Sequence, residues 1–169
     1  MHLEYIYTVT KQKPMIVFMH DQPDARAEAL QEHSPEMLQK FRTDGILVEE
    51  EKPCFYIYRL TMDGRSQTGL VACTAVDEYL DGTIKKHEFT RKDKEQDRIN
   101  HVDYCNANTG PIFLAYKGSE QAQALIAAWT AEYAPIYDFK ATDGIGHTVW
   151  KVADENTIAQ LTEAFASVE

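Results

Sequence analysis

Residues Cys54 to Met62 and Arg65 to Ala75 are two apolar, β-rich runs separated only by Asp63-Gly64. Two adjacent residues that both accept positive φ are the favoured chemistry of a two-residue hairpin turn. Such a turn fixes the register: Met62 faces Arg65, Arg59 faces Thr68, and Cys54 faces Cys73. Phe55, Ile57 and Leu70 then share one face, and Tyr56, Tyr58, Leu60 and Val71 share the other. A hairpin apolar on both faces is expected inside a sheet, covered twice. Opposed Cβ atoms in a sheet lie about 4.5–5.5 Å apart, against about 3.8 Å in a mean disulfide, so the register predicts Cys54 and Cys73 as reduced neighbours.

The rest of the chain supplies elements to build around that hairpin. Tyr5 to Thr10 has the β-branched and aromatic character of a strand, and Pro14 to His20 reads as a second. Asp21 to His33 reads as a weak surface helix. In Ser34-Pro35-Glu36 a serine cap precedes a proline whose missing N–H does no harm at a helix start. Met37, Leu38 and Phe41 form that helix's apolar stripe, and Gly45 is placed to end it. Asp77 to Leu80 reads as a short helical turn closed by Gly82. Thr90-Arg91-Lys92-Asp93 has capping-box spacing, ahead of a helix from about Arg91 to Cys105. Asn106 to Pro111 is a loop, since Gly110-Pro111 breaks helix and ladder alike, and it lacks the pattern of a P-loop. Ile112 to Tyr116 is a strand. Ser119 caps a helix carrying Leu125, Ile126, Trp129 and Tyr133 at helical spacing. Ile136 to Phe139 and His147 to Val152 read as strands joined through Asp143-Gly144. The last helix spans about Asp154 to Ser167, with Ile158, Leu161 and Phe165 inward. The expected class is α+β, a mixed or antiparallel sheet with the 54–75 hairpin at its centre and helices covering it. Residues 34–169 read as one domain, with 1–33 a separate N-terminal segment.

Charge limits the partners. Seventeen basic against 27 acidic residues give a net charge of −10, which disfavours binding to nucleic acid or to anionic lipid. No apolar run approaches the roughly 18–20 residues that span a bilayer. Three cysteines without a CxxC pair point to a reducing cytoplasm.

Against that acidic background, Lys85 to Asp103 holds six of the 17 basic side chains and five acidic ones. On a helical wheel Arg91, Lys94, Glu95, Arg98, His101, Val102 and Cys105 fall on one side. Val102 and Cys105 should turn that side toward the protein and carry Glu95 and Arg98 inward or to a cleft. Charges so placed must be paired or hold a ligand. The plainer reading is a solvated helix stitched by Arg91–Glu95 and Glu95–Arg98 pairs, each contributing about 0.2–0.5 kcal/mol. Just upstream, His87 beside Glu88 is a candidate for acid–base work, because His titrates near neutrality. His87 and His101 could supply two metal ligands, but no third stands at diagnostic spacing, so no metal site is expected. Arg59, inside an apolar strand, is placed to reach an acidic partner or a bound anion, and a structural salt bridge is the expected role.

Several of these motifs together resemble a known family. They are Phe55-Tyr56-Ile57-Tyr58-Arg59, Gln67 to Ala72, Ile84-Lys85-Lys86-His87-Glu88, Thr90-Arg91, Lys94 to Arg98, His101-Val102-Asp103 and Asn108 to Pro111. The family is domain-of-unknown-function family 1015 of bacteria and archaea, and the likeness runs from Glu36 to about Val168. The resemblance implies a protein more than twice this length, distantly similar to the ParB/sulfiredoxin-like group. Some members of that group bind nucleotides and transfer phosphoryl groups, free serine kinases among them. The family's Asp-Gly-His-His-Arg run and its N-terminal Pro-Tyr-Asp region do not occur here. The expectation is therefore the middle of a larger protein, or a reduced relative, with an incomplete site. On this reading Lys86, Arg91 and Arg98 would neutralise the phosphates of a nucleotide with magnesium, or of a small phosphorylated ligand. Glu95 and His101 would belong to the same anion site, and His87 or Glu88 would accept a proton. A non-catalytic protein-binding or scaffold domain is the alternative. Open sheet edges would also allow a homodimer.

Overall fold

The computed structural model describes residues 3–10, 35–85, 91–108, 111–166 and 168. The strand expected at Pro14 to His20, the helix expected at Asp21 to His33 and the Ser34 cap lie outside the described residues. Two compact units emerge, one within Met1–Thr8, Glu50–Ala72 and Ile112–Glu169, the other within Val9–Glu49 and Cys73–Pro111.

The first unit is built on a sheet. Its strands are β1 (Leu3–Thr10), β2 (Phe55–Met62), β3 (Arg65–Thr74), β4 (Ile112–Lys117), β5 (Tyr137–Lys140) and β6 (Gly146–Val152). They lie in the order β4-β1-β3-β2-β6-β5. β2 pairs antiparallel with β3 and with β6, β5 with β6, and β1 with β4. The hairpin is therefore interior, as its two apolar faces require. Its register is the one the turn dictates, with Met62 opposite Arg65 and Arg59 opposite Thr68. Asp63 and Gly64 have φ of 51° and 75°, the doubly positive geometry that matches the twist of the flanking strands.

Two helices cover one face of this sheet, α4 (Glu120–Glu132) and α5 (Glu155–Ala166). Ile57, Leu70, Ala72, Trp150, Val152 and Leu161 form the buried core there, with Phe55, Leu125, Ile126, Trp129, Ile158 and Phe165 packed against it. A side chain caps the start of each helix, Ser119 as the sequence signals and Asp154 in addition. Ser119 Oγ accepts from the Ala122 amide at 3.3 Å. Asp154 Oδ2 accepts from the Thr157 amide and hydroxyl, both at 2.8 Å. These bonds hold the Asp154 carboxyl below its usual range. Both indoles place their N–H inside the unit, Trp129 on the Lys151 carbonyl and Trp150 on the Tyr133 carbonyl. Tyr133, grouped with the inward residues by spacing, is instead exposed and stacks on Trp129.

The second unit contains α1 (Pro35–Thr43), α2 (Val76–Leu80) and α3 (Lys92–Cys105). Leu38 and Ala107 are buried together, with Leu47 and Cys105 against them. Met37 and Phe41 are half-buried beside Leu38 on α1, as the stripe predicted. Gly45 follows this helix with φ +72°. α3 begins one residue later than the capping-box reading. Arg91, not Thr90, stands before the first turn, in extended backbone and without a side-chain cap. The helix ends on Asn106 in the left-handed region, φ 47°, a conformation asparagine tolerates better than most residues. The architecture as a whole is α+β.

Candidate functional site

The basic segment of the sequence falls in the second unit. Lys86, His87 and Glu88 lie outside the described residues. Arg98 and His101 stand on α3, whose backbone is described there without those side chains. Arg91 and Glu95 are exposed, as are Lys85 and Lys92. Val102 and Cys105, the apolar members of the same wheel side, are half-buried. The physical reason for this split lies in α3 itself. Its apolar anchor is in the last turn, where Cys105 meets the small core of Leu38 and Ala107. Its first two turns, Lys92 to Ile99, contain only Ile99 as an apolar residue, and Ile99 is 47% exposed. Nothing apolar draws the start of the helix inward, and Arg91, Lys92 and Glu95 stay at the surface. The free N–H groups of a first turn carry partial positive charge. Arg91 and Lys92 add positive charge beside them.

Sequence reasoning missed a second polar group, which the first unit assembles on the opposite side of its sheet from α4 and α5. Tyr56, Tyr58, His147, Val149 and Lys151 alternate with the core residues of β2 and β6, and the register places Tyr56 opposite Lys151. Glu50, in the segment before β2, accepts from Tyr56 Oη at 2.6 Å and from Lys151 Nζ. Lys151 and Tyr56 together hold the Glu50 carboxyl below its usual range. Its bond to Glu50 keeps the Lys151 ammonium above its own usual range. Burial, then the Glu50 bond, pushes the Tyr56 phenol far upward. Burial likewise raises the neighbouring Cys54 thiol. Each shift favours the form that keeps the cluster closed. The bonds of Tyr56 and Lys151 to Glu50 clamp the segment before β2 onto the sheet.

Farther along β6, Tyr58 Oη and His147 Nδ1 lie 2.7 Å apart. The His147 ring is stacked on Phe139 at 5.0 Å and is 7% exposed. Arg59, expected to meet an acid, is instead on the helix-covered face. Its Nε donates to Thr68 Oγ1 at 3.1 Å, and its guanidinium lies 4.8 Å from the Trp150 ring centre. Cys54, Cys73 and Cys105 are all free thiols. Among the described residues no group of three His, Cys, Asp or Glu side chains is placed to hold a metal ion. Among the same residues no helix is long and apolar enough to cross a membrane.

An α+β domain with an antiparallel sheet, two covering helices and a basic helix start defines the class of protein. The family described as "Protein of unknown function (DUF1015)" matches residues 12–169, and the chain belongs to it. The match reaches upstream of Glu36, where the sequence resemblance began. No curated protein and no solved structure matches the chain.

Proposed function

We propose that this chain is part of a nucleotide-dependent phosphotransferase acting on a small molecule in the cytoplasm, with its anion-binding segment between Lys85 and His101. The observation that carries the reading is the start of α3. There Arg91 and Lys92 are exposed at a helix N-terminus that has no side-chain cap, within a chain of net charge −10. Lys86, Arg91 and Arg98 neutralise phosphate oxygens of the nucleotide and its magnesium ion, Glu95 and His101 orient them, and His87 or Glu88 accepts the substrate proton. Phosphoryl transfer suits such a site because it depends chiefly on positioning and charge stabilisation. The ParB/sulfiredoxin-like character of the family is part of this reading.

A second reading is a non-catalytic binding or scaffold domain. The exposed apolar side chains of the second unit favour it: Val48 at 81%, Tyr104 at 77% and Leu80 at 74%. Thermal-shift titration with ATP and magnesium, run on this chain and on a longer family member, separates the two. A bound ligand raises the melting temperature by mass action. The phosphotransferase reading expects a shift in the longer protein that Arg91→Ala together with Lys92→Ala diminishes. Absence of any shift in the longer protein, or a shift indifferent to both substitutions, leaves the scaffold reading standing.

A further inference from the structure

We infer that the chain forms a two-fold dimer through β5, the outer strand beside β6, with Asp138 of each copy meeting the partner's Lys140. β5 ends the strand order of the described residues, so one side of its backbone faces β6 and the other faces outward among them. The phase of its hydrogen bonds follows from the turn that joins the two strands. The Ala141 amide donates to the Ile145 carbonyl at 2.8 Å. In an antiparallel ladder bonded and non-bonded pairs alternate. With Phe139 opposite His147 and Tyr137 opposite Val149, those two pairs bond within the hairpin. The N–H and C=O groups of Asp138 and Lys140 therefore point away from β6. Such an outward row is a template for another strand.

A second β5 satisfies that row in one register only. With Phe139 opposite the partner's Phe139, Asp138 exchanges both backbone bonds with the partner's Lys140, and Lys140 with the partner's Asp138. The same register sets the two carboxylates directly across from the two ammonium groups. Sliding by two residues brings Asp138 against Asp138, or Lys140 against Lys140, and like charges directly opposite are destabilising. Sliding by one turns each side chain to the wrong face. Unlike charge and backbone phase thus choose the same alignment. Asp138 and Lys140 are both exposed. Thr148 Oγ1 donates to Asp138 Oδ1 at 3.2 Å, which steadies the carboxylate at the edge. Ile136 and Tyr137, each 46% exposed, add apolar surface at the end of the strand. The other outer strand, β4, has Lys117 as its one charged residue, so pairing β4 with itself brings no unlike charges together.

Sedimentation of the full chain over a range of concentrations tests this. The wild-type chain should sediment as a dimer. Lys140→Asp gathers four carboxylates at the contact and Asp138→Lys gathers four ammonium groups. Either should weaken association about tenfold or more, with far-UV circular dichroism unchanged. An equimolar mixture of the two variants restores every unlike pair and should sediment as a dimer again. A wild-type monomer at high concentration would overturn the inference. So would a dimer indifferent to Lys140→Asp, a mixture that stays monomeric, or growth beyond the dimer, which would place β5 against β4.

Discussion

Truncating Leu161 to alanine tests the packing of the first unit most directly. Leu161 is fully buried on α5, inside the core formed with Ile57, Leu70, Trp150 and Val152. The substitution removes three carbon groups, and at about 0.8 kcal/mol each the lost transfer energy is about 2.4 kcal/mol. Ile57 and Val152, in the same core, are also fully buried. They stand on sheet strands tied by backbone ladders, so the surroundings collapse only partly into the space. At about 24 cal/mol per Å³, a residual cavity of roughly 40–60 Å³ adds about 1–1.5 kcal/mol. The expected loss is thus about 3.5–4 kcal/mol, a large share of a typical domain's stability. Urea unfolding followed by tryptophan fluorescence is the suitable assay, because Trp129 and Trp150, the only two tryptophans, both adjoin this core. A midpoint that moves by less than about 1 kcal/mol would mean that α5 does not seal the sheet.

The remaining predictions concern polar contacts. The folded Glu50 carboxyl titrates below its ordinary value of 4.5, because Lys151 and Tyr56 bond its charged form. Its stabilisation is therefore complete above that value and lost as pH falls through the lowered one. Urea midpoints of the wild type and Glu50→Gln should converge on acidification, whereas parallel curves would refute the clamp. Tyr58→Phe removes the hydroxyl bonded to His147 Nδ1 and should cost about 1–2 kcal/mol. An unchanged melting temperature would show that ring packing alone holds His147. Asp154→Ala removes the α5 cap and should cost about 0.5–2 kcal/mol, and an equal loss in Asp154→Asn would argue that charge matters there more than hydrogen bonding.

The parts of the fold that were legible share a short range. Asp63-Gly64 sets the register of β2 and β3 from two residues, because positive φ at both admits one kind of hairpin. Ser119 announces α4, because a cap acts within three residues. The start of α3 was harder: Thr90 and Asp93 have the spacing of a capping box, yet Arg91 takes the position before the first turn. What the sequence concealed is long-range and polar. Glu50 meets Lys151 across 101 positions, and Tyr58 meets His147 across 89. Neither pair leaves a local period, and both arise only because β2 and β6 are neighbours. In the candidate site, the concentration of basic residues was visible. The exposure of Arg91 and Glu95 follows the plainer reading, a solvated helix; the wheel alone could not choose it, since it ranks directions without saying where along the helix the apolar anchor sits.

The two units divide their polar side chains differently, and this bears on where chemistry can reside. In the first, Glu50, Tyr56 and Lys151 bond one another, Tyr58 bonds His147, and Arg59 is spent on Thr68 and Trp150. Charges committed in this way stabilise the charged forms they already have, so a ligand would have to displace a partner before it could bind. In the second unit the described buried core is small, and Arg91 and Lys92 at the start of α3 are exposed. An anion arriving there gives up water and displaces no internal carboxylate from Arg59 or Lys151. On the reading proposed above, a phosphate binds at α3 and leaves the Glu50–Lys151 pair intact. The same reasoning predicts that Lys151→Met alters stability without altering nucleotide affinity. Loss of affinity in that variant, with its melting temperature unchanged, would move the site to the sheet.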